Sequence, residues 1–141
     1  MKVTLGTTFV FYVTCHAYHW NCEGPFFPVY HALFGKIYTD VWNSIDDMAE
    51  QIRQLDAYAP ASLERMIALS RINRSNSGML PTGQMLTGLF EDNDVVIAVL
   101  TEALHVAEAE DKQGLVNFLA GRLEAHSKWR WQLRASAKRV G

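Results

Sequence analysis

Cysteine is scarce in this chain, and the two present, Cys15 and Cys22, cannot support a disulfide framework. They stand seven residues apart on one predicted helix, a rise of about 10 Å, beyond the Cα separation a disulfide bridges. The same separation argues against a single tetrahedral zinc site drawn from Cys15, His19 and Cys22. Unpaired thiols fit a reducing compartment, so a cytoplasmic location is expected. Long apolar runs are missing too: Phe9 to Val13 is far too short to span a bilayer. Met1-Lys2-Val3-Thr4 leads straight into a mixed polar and apolar stretch, so neither a targeting signal nor a membrane segment is expected. Basic runs are also lacking. The net charge is −2, and the one small cluster, Lys138-Arg139, reads as cations complementing a helix end. General affinity for nucleic acid, which depends on Lys and Arg neutralising phosphates, is therefore not expected. There is no glycine-rich phosphate loop, no Ser or Cys nucleophile with a partnered base, no internal repeat and no convincing strand.

What remains is helix. The apolar fraction of 49% and charged fraction of 20% are those of an ordinary globular protein, and the length suits one domain over 1–141. The spacing predicts a first helix over Leu5 to Asn21, with Leu5, Phe9, Tyr12, Val13 and Trp20 on its apolar face. Gly24-Pro25 stops it, and Pro28 opens the second helix. That helix carries Tyr30, Phe34, Ile37, Val41, Met48, Ile52 and Leu55 and ends near Asp56. A short helix from Ser62, its N-cap, to about Ser70 lies in the long connection that follows, with a loop over Asn73 to Gly78. The third long helix starts after Pro81 with Thr82 as N-cap. Its stripe is Leu86, Leu89, Val96, Leu100, Ala103 and Ala107. Asp111 marks a turn into the fourth, whose stripe is Leu115, Phe118, Leu119, Arg122, His126, Trp129 and Leu133. Two helical hairpins joined by one long connection make an all-α fold: a ferritin-like four-helix bundle with a short extra helix in the crossover.

The chemistry-bearing residues lie on the first hairpin. His19 precedes the break Glu23-Gly24-Pro25 and His31 follows it, so antiparallel helices bring the two imidazoles side by side. Asp46 and Glu50 share one face of the second helix; Asp47, one residue off that face, reads as a solvated charge. Imidazole and carboxylate together suit iron, manganese or zinc. Asp46 and Glu50, however, are 15 and 19 residues beyond His31, roughly 22 to 28 Å along a continuous helix, whereas metal–ligand bonds are about 2 Å. One chain cannot bring all four groups to one ion. Two copies packed antiparallel about a two-fold axis can, giving two identical sites per dimer. His16, three residues before His19, falls on an adjacent face and reads as a hydrogen-bonding residue. Glu102 with His105 makes one Glu-x-x-His pair, whereas in-bundle di-iron sites need two plus further glutamates.

The segments Thr14-x-His16-x-x-His19-Trp20-Asn21-x-x-Gly24-Pro25-x-Phe27, His31-x-x-Phe34-x-x-x-Tyr38, Ile45-Asp46-Asp47-x-Ala49-Glu50-x-Ile52-Arg53 and His126-x-Lys128-x-x-Trp131-x-Leu133-Arg134 resemble the Dps family, the DNA-protection-during-starvation mini-ferritins. The resemblance implies a hollow homo-oligomer, a dodecamer, that oxidises Fe(II) at two-fold interfaces, stores the ferric product and protects against peroxide. It implies His19 and His31 as iron ligands, Asp46 and Glu50 as ligands from the partner, and Trp20 and Tyr38 as redox-active neighbours. Zinc or manganese are possible substitutes for iron. Three departures qualify this. The family's acidic ligand one turn after the second histidine is Gly35 here. Its acidic pore residues align with Asn117 and Gly121. Its lysine-rich N-terminal tail has no counterpart, so DNA binding is not expected. The alternative to a working ferroxidase is a degenerate shell or metal-binding protein with an impaired centre.

Overall fold

Gly24 turns the chain between the first two helices with φ of 112°, a conformation that costs a glycine little and other residues much. It joins α1 (Lys2–Asn21) to α2 (Phe27–Gln54); α3 (Leu63–Leu69), α4 (Thr82–Ala109) and α5 (Gln113–Ala137) follow. This computed structural model describes residues 1–73 and 80–138, and among them there is no strand. All but the first residue of the loop expected over Asn73 to Gly78, and Arg139 of the terminal basic pair, lie outside the described residues. The hairpins α1–α2 and α4–α5 pack together through α1 and α4, and α2 also meets α5. The connection leaves α2 at Leu55, beside Met1, and enters α4 at Thr82, beside Glu23, so its two ends lie at opposite ends of α1, as in the ferritin-like topology. No described helix is long and apolar enough to cross a membrane.

Local signals account for the boundaries. Ser62 caps α3 by accepting a hydrogen bond from the Arg65 amide at 3.1 Å. Asp56 and Asp111 end α2 and α4 with φ of 57° and 52°, the left-handed region that Asp tolerates better than most residues. Thr82 is a correction. Pro81 is the N-cap of α4, and the Thr82 hydroxyl instead donates to the Glu23 carbonyl at 2.8 Å, tying the α1–α2 turn to the second hairpin.

The stripes expected on α2, α4 and α5 are largely buried, except that Leu55 is exposed. On α1 the expected face is only partly right: Leu5 is buried and Tyr12 packs half-buried against the core, but Val13 and Trp20 do not. The core side is Leu5, Thr8, Phe11, Cys15, Tyr18 and Cys22, again at threes and fours, while Val13 and Trp20 are exposed at 48% and 66%. Four buried threonines, Thr4, Thr7, Thr8 and Thr14, disguise the inward side as polar. Gly6 lets α3 approach: a Cβ there would stand 2.7 Å from the Met66 carbonyl oxygen and 2.9 Å from Leu69 Cβ. Beside it, Thr7 Oγ1 accepts from the Arg71 amide at 3.1 Å.

A polar network crosses the core where the sequence suggested only apolar packing. Arg122 donates both terminal nitrogens to Asp40 at 3.0 Å, and Trp129 Nε1 donates to the same carboxylate at 2.7 Å. His126 Nδ1 and Asn93 Oδ1 are 2.7 Å apart, and Asn93 Nδ2 donates to the His126 carbonyl at 2.9 Å. Burial, aided by the Arg122 charge and opposed by Asp40, lowers the His126 pKa to about 3. Burial pushes the Asp40 carboxyl up, but hydrogen bonds from Arg122 and Trp129 and the Arg122 charge outweigh it, and the net shift is down.

Two outcomes follow. Gly6→Ala gains about 1 kcal/mol of helix propensity but drives Cβ against backbone, where overpacking costs about 1–3 kcal/mol or more. A melting temperature lower than wild type by several degrees is expected by calorimetry. His126 is neutral in the fold and protonates near pH 6.5 when unfolded, so the unfolded state binds more protons between pH 6.5 and about 3. Stability should fall as pH drops through that window, at up to roughly 1.4 kcal/mol per pH unit. His126→Gln should flatten the slope in urea unfolding between pH 6.5 and 4; the loss of Asp40 charge adds only below the ordinary carboxylate pKa of 3.8.

Candidate metal centre

The turn at Gly24 sets the end of α1 against the start of α2, and the two histidines meet there in a crossed arrangement. His19 Nδ1 lies 2.7 Å from the His31 carbonyl oxygen, and His31 Nδ1 lies 2.8 Å from the His19 carbonyl oxygen. A carbonyl can only accept, so each Nδ1 carries a proton, and in the neutral ring each Nε2 keeps its lone pair. This is the state in which imidazole binds a metal, with the ring aimed and its basicity raised by the bond behind it. The rings stack, with centroids 3.7 Å apart and planes 22° from parallel. Phe27 packs on the outer side of His31 at 4.8 Å. The Cys22 thiol also faces the His19 carbonyl, at 3.7 Å.

Gly35 belongs to this arrangement by contact. A Cβ at that position would lie 3.2 Å from both Cε1 and Nδ1 of His19. The missing side chain therefore lets the His19 ring lie close against α2. Any residue placed there must move the ring by a few tenths of an ångström.

Asp46 and Glu50 are exposed on the same helix, and α2 runs without a break past both. Their separation from His31 is thus the helical one, about 22 and 28 Å. Among the described residues of one chain, no three His, Cys, Asp or Glu side chains gather where they could hold a metal ion. The structure therefore unites His19 with His31 and keeps Asp46 and Glu50 apart from them within the protomer. Glu102 is engaged elsewhere, paired with Arg71 at 2.6 Å, and His105 is exposed.

An aromatic cluster adjoins the histidines. Tyr38 meets His19 edge-on at 5.1 Å and stacks on His16 at 3.9 Å. His16 contacts Trp20 at 4.1 Å, and Tyr12 contacts Trp42 at 5.0 Å. Trp20, expected on the core side, and Trp42 are both more than half exposed. The cluster is thus continuous from the histidine pair to an open apolar surface of α1 and α2.

The ferritin-like domain family model matches residues 3–140. An uncharacterised low temperature-induced protein of Nostoc is 30% identical over 135 residues, covering 93% of this chain and 74% of that protein. DNA protection during starvation protein 2 of Bacillus anthracis is 26% identical, covering 89% of this chain and 86% of that one. A Dps protein of Vibrio cholerae, described as a member of a broad superfamily of ferritin-like diiron-carboxylate proteins, superposes with a TM-score of 0.90. It is 26% identical, with 97% of this chain and 86% of that chain covered. The chain belongs to the ferritin-like family, as a mini-ferritin of the Dps branch. Iron binding and iron storage are the kind of function this membership supports.

Placing a methyl group against the His19 ring isolates its packing from any question of extra ligands. Gly35→Ala is expected to lengthen or break the His19 Nδ1 bond to His31 and to weaken Co(II) or Zn(II) binding by about tenfold, the scale of lost outer-shell support. Isothermal titration with either ion reads this out, and affinity equal to wild type would mean that the close approach is irrelevant to the ligand.

Proposed function

We propose that the protein takes Fe(II) as substrate at interfaces between its own subunits and oxidises it. Each site would comprise His19 and His31 of one protomer with the partner's Asp46 and Glu50. The single observation that carries this reading is the crossed hydrogen bonding of His19 and His31, which presents two Nε2 lone pairs. Imidazoles held only for packing have no need to be fixed in that tautomer. Asp46 and Glu50, one turn apart and exposed, supply the anionic half that a two-fold partner would bring. The apolar surface around Trp20 and Trp42 is what such a partner would cover, since exposed apolar patches of this kind mark association.

Carboxylates favour the more highly charged ferric product electrostatically, while the neutral imidazoles hold the metal through both states. Electrons pass to peroxide or oxygen, and the ferric product collects inside a hollow homo-oligomer, a dodecamer by likeness to the Dps relatives. Tyr38, which meets His19, and Trp20, one ring further out against His16, would exchange electrons with the centre. Zinc and manganese suit the same donor set and would compete for it. The buried, unpaired thiols of Cys15 and Cys22 fit a reducing cytoplasm, and a chain of net charge −2 is not expected to hold DNA.

A second reading, an impaired centre, is favoured by Gly35. No side chain there can donate to the second position, so that position has His31 and a share of Glu50. The exposed, uncharged Asn117 and Gly121 would also draw Fe(II) less strongly than acidic residues.

Purified protein is expected to consume Fe(II) faster than buffer, and His19→Ala or Glu50→Ala to slow it by about tenfold or more, no less than an outer-shell loss. Equal rates in wild type and both variants, or sedimentation as lone protomers at working concentration, would falsify the interfacial ferroxidase. Gly35→Asp separates the two readings. Titration should show binding rising from about one cation per site toward about two, the number a paired-metal centre holds, with faster oxidation. No gain would mean that another group already completes the centre.

A further inference from the structure

A groove of about 600 Å³ opens along α2 beside the histidine pair, lined by Gly35, Lys36, Tyr38, Thr39 and Asn43, with Asp40 also on its wall. It abuts the imidazoles through two of these residues. A Cβ on Gly35 would lie 3.2 Å from the His19 ring, and Tyr38 meets that ring edge-on at 5.1 Å. Helical spacing also sets Gly35 and Thr39 on the same side of α2 as His31, Asp46 and Glu50, all within about 100° of arc. The groove therefore lies on the face that carries both halves of the proposed site.

Its free polar groups favour an anion. Asp40 is already answered by Arg122 at 3.0 Å and by Trp129 at 2.7 Å. Thr39 gives its hydroxyl proton to the Gly35 carbonyl at 2.7 Å. Lys36 is exposed and has no ion-pair partner among the described residues. The Tyr38 hydroxyl and the Asn43 amide have no hydrogen-bond partner among them either. An unpaired ammonium, a phenol hydroxyl and a primary amide can all donate to the oxygens of an anion.

We propose that this groove binds a small planar anion of the carboxylate type, bicarbonate or a short carboxylate, which completes the centre for a second Fe(II). The proposal rests on the interfacial iron site described above and names that site's co-ligand. The site combines two carboxylates with two neutral imidazoles, so its charge matches a single divalent cation. A second cation leaves positive charge uncompensated on a face that the partner would cover, and such a charge is strongly destabilising. Gly35 brings no side chain to offset it. An anion from solvent does, and its oxygens suit the same metals as the protein's own carboxylates. The close approach of the His19 ring to Gly35 favours a small anion over a bulky one. Lys36, Tyr38 and Asn43 hold the oxygens that face the groove. Anion and second cation then raise each other's affinity by the same factor.

The test titrates Co(II) into carbonate-free protein under argon, in a non-coordinating buffer, by calorimetry and Co(II) absorption. With chloride alone, binding should stop at about one cation per site; with bicarbonate or formate it should reach about two, the number a paired-metal centre holds. Sulfate at equal ionic strength, charged but tetrahedral, should not raise it. A response to bicarbonate alone names dissolved carbon dioxide as the source, and a response to formate and acetate as well names short carboxylates in general. The carbon resonance of the effective anion, isotopically labelled, should broaden with Co(II)-loaded wild type more than with His19→Ala. Lys36→Met should raise the anion concentration for half-saturation several-fold, and Lys36→Arg should restore it. Gly35→Asp, which carries its own carboxylate, should take about two cations with no anion added.

A second Co(II) bound equally in chloride, sulfate and bicarbonate overturns the inference, because water then supplies the balancing charge. An anion requirement that Lys36→Met leaves unchanged overturns the groove as its seat. No second Co(II) under any anion, while the first still depends on His19, overturns the co-ligand and leaves the proposed function standing. If wild type and His19→Ala bind Co(II) alike, the interfacial site itself fails and the co-ligand falls with it.

Discussion

The rest of the structure depends on the rigidity of α2. It is unbroken from Phe27 to Gln54, about 42 Å of helix, with His31 in its first turns and Asp46 and Glu50 well beyond its midpoint. Bending it enough to bring its own acids to its own histidine would cost many backbone hydrogen bonds. Chelation within one chain is therefore closed off by covalent reach, and any site that uses both sets of groups must be quaternary. The same constraint gives meaning to the open side of α1 and α2. Val13, Trp20 and Trp42 face solvent in the protomer, and an apolar face of that kind on a helix already packed on its other side calls for a second covering surface.

Asp40 shows how the fold keeps that helix in place. It lies between the histidine and the two acids on α2, where Arg122 and Trp129 of α5 converge on its carboxylate. A forked pair of charge-assisted bonds is directional as well as attractive, so it fixes where the middle of α2 sits over the opposite hairpin. At the other end, the Thr82 hydroxyl on the Glu23 carbonyl holds the α1–α2 turn. The histidine pair and the acidic pair are thus anchored to the second hairpin by polar contacts near each, while apolar packing supplies most of the bulk stabilisation.

Helix number, order and approximate ends were legible from periodicity, prolines and caps, and so was the separation of His31 from Asp46 and Glu50, because helical rise converts sequence distance directly into ångströms. The inward face of α1 was not. Thr4, Thr7, Thr8 and Thr14 are buried, while large apolar residues point out, so a reading by hydropathy rotates the helix. Arg122, His126 and Trp129 were placed on the right stripe, yet their partners Asp40 and Asn93 lie 82, 33 and 89 residues away in sequence, beyond the reach of any local pattern. The proximity of His19 and His31 followed from the turn. Their tautomers did not, because these depend on where two backbone carbonyls point after the helices have packed.

Gly35 gains a physical meaning that sequence comparison alone could not give it. A glycine inside a helix costs about 1 kcal/mol against alanine, and here that cost coincides with a His19 ring lying where a Cβ would be only 3.2 Å away. A carboxylate at this position would add a donor and at the same time push the ring that the His31 carbonyl orients. The site thus trades the number of ligands against the placement of one.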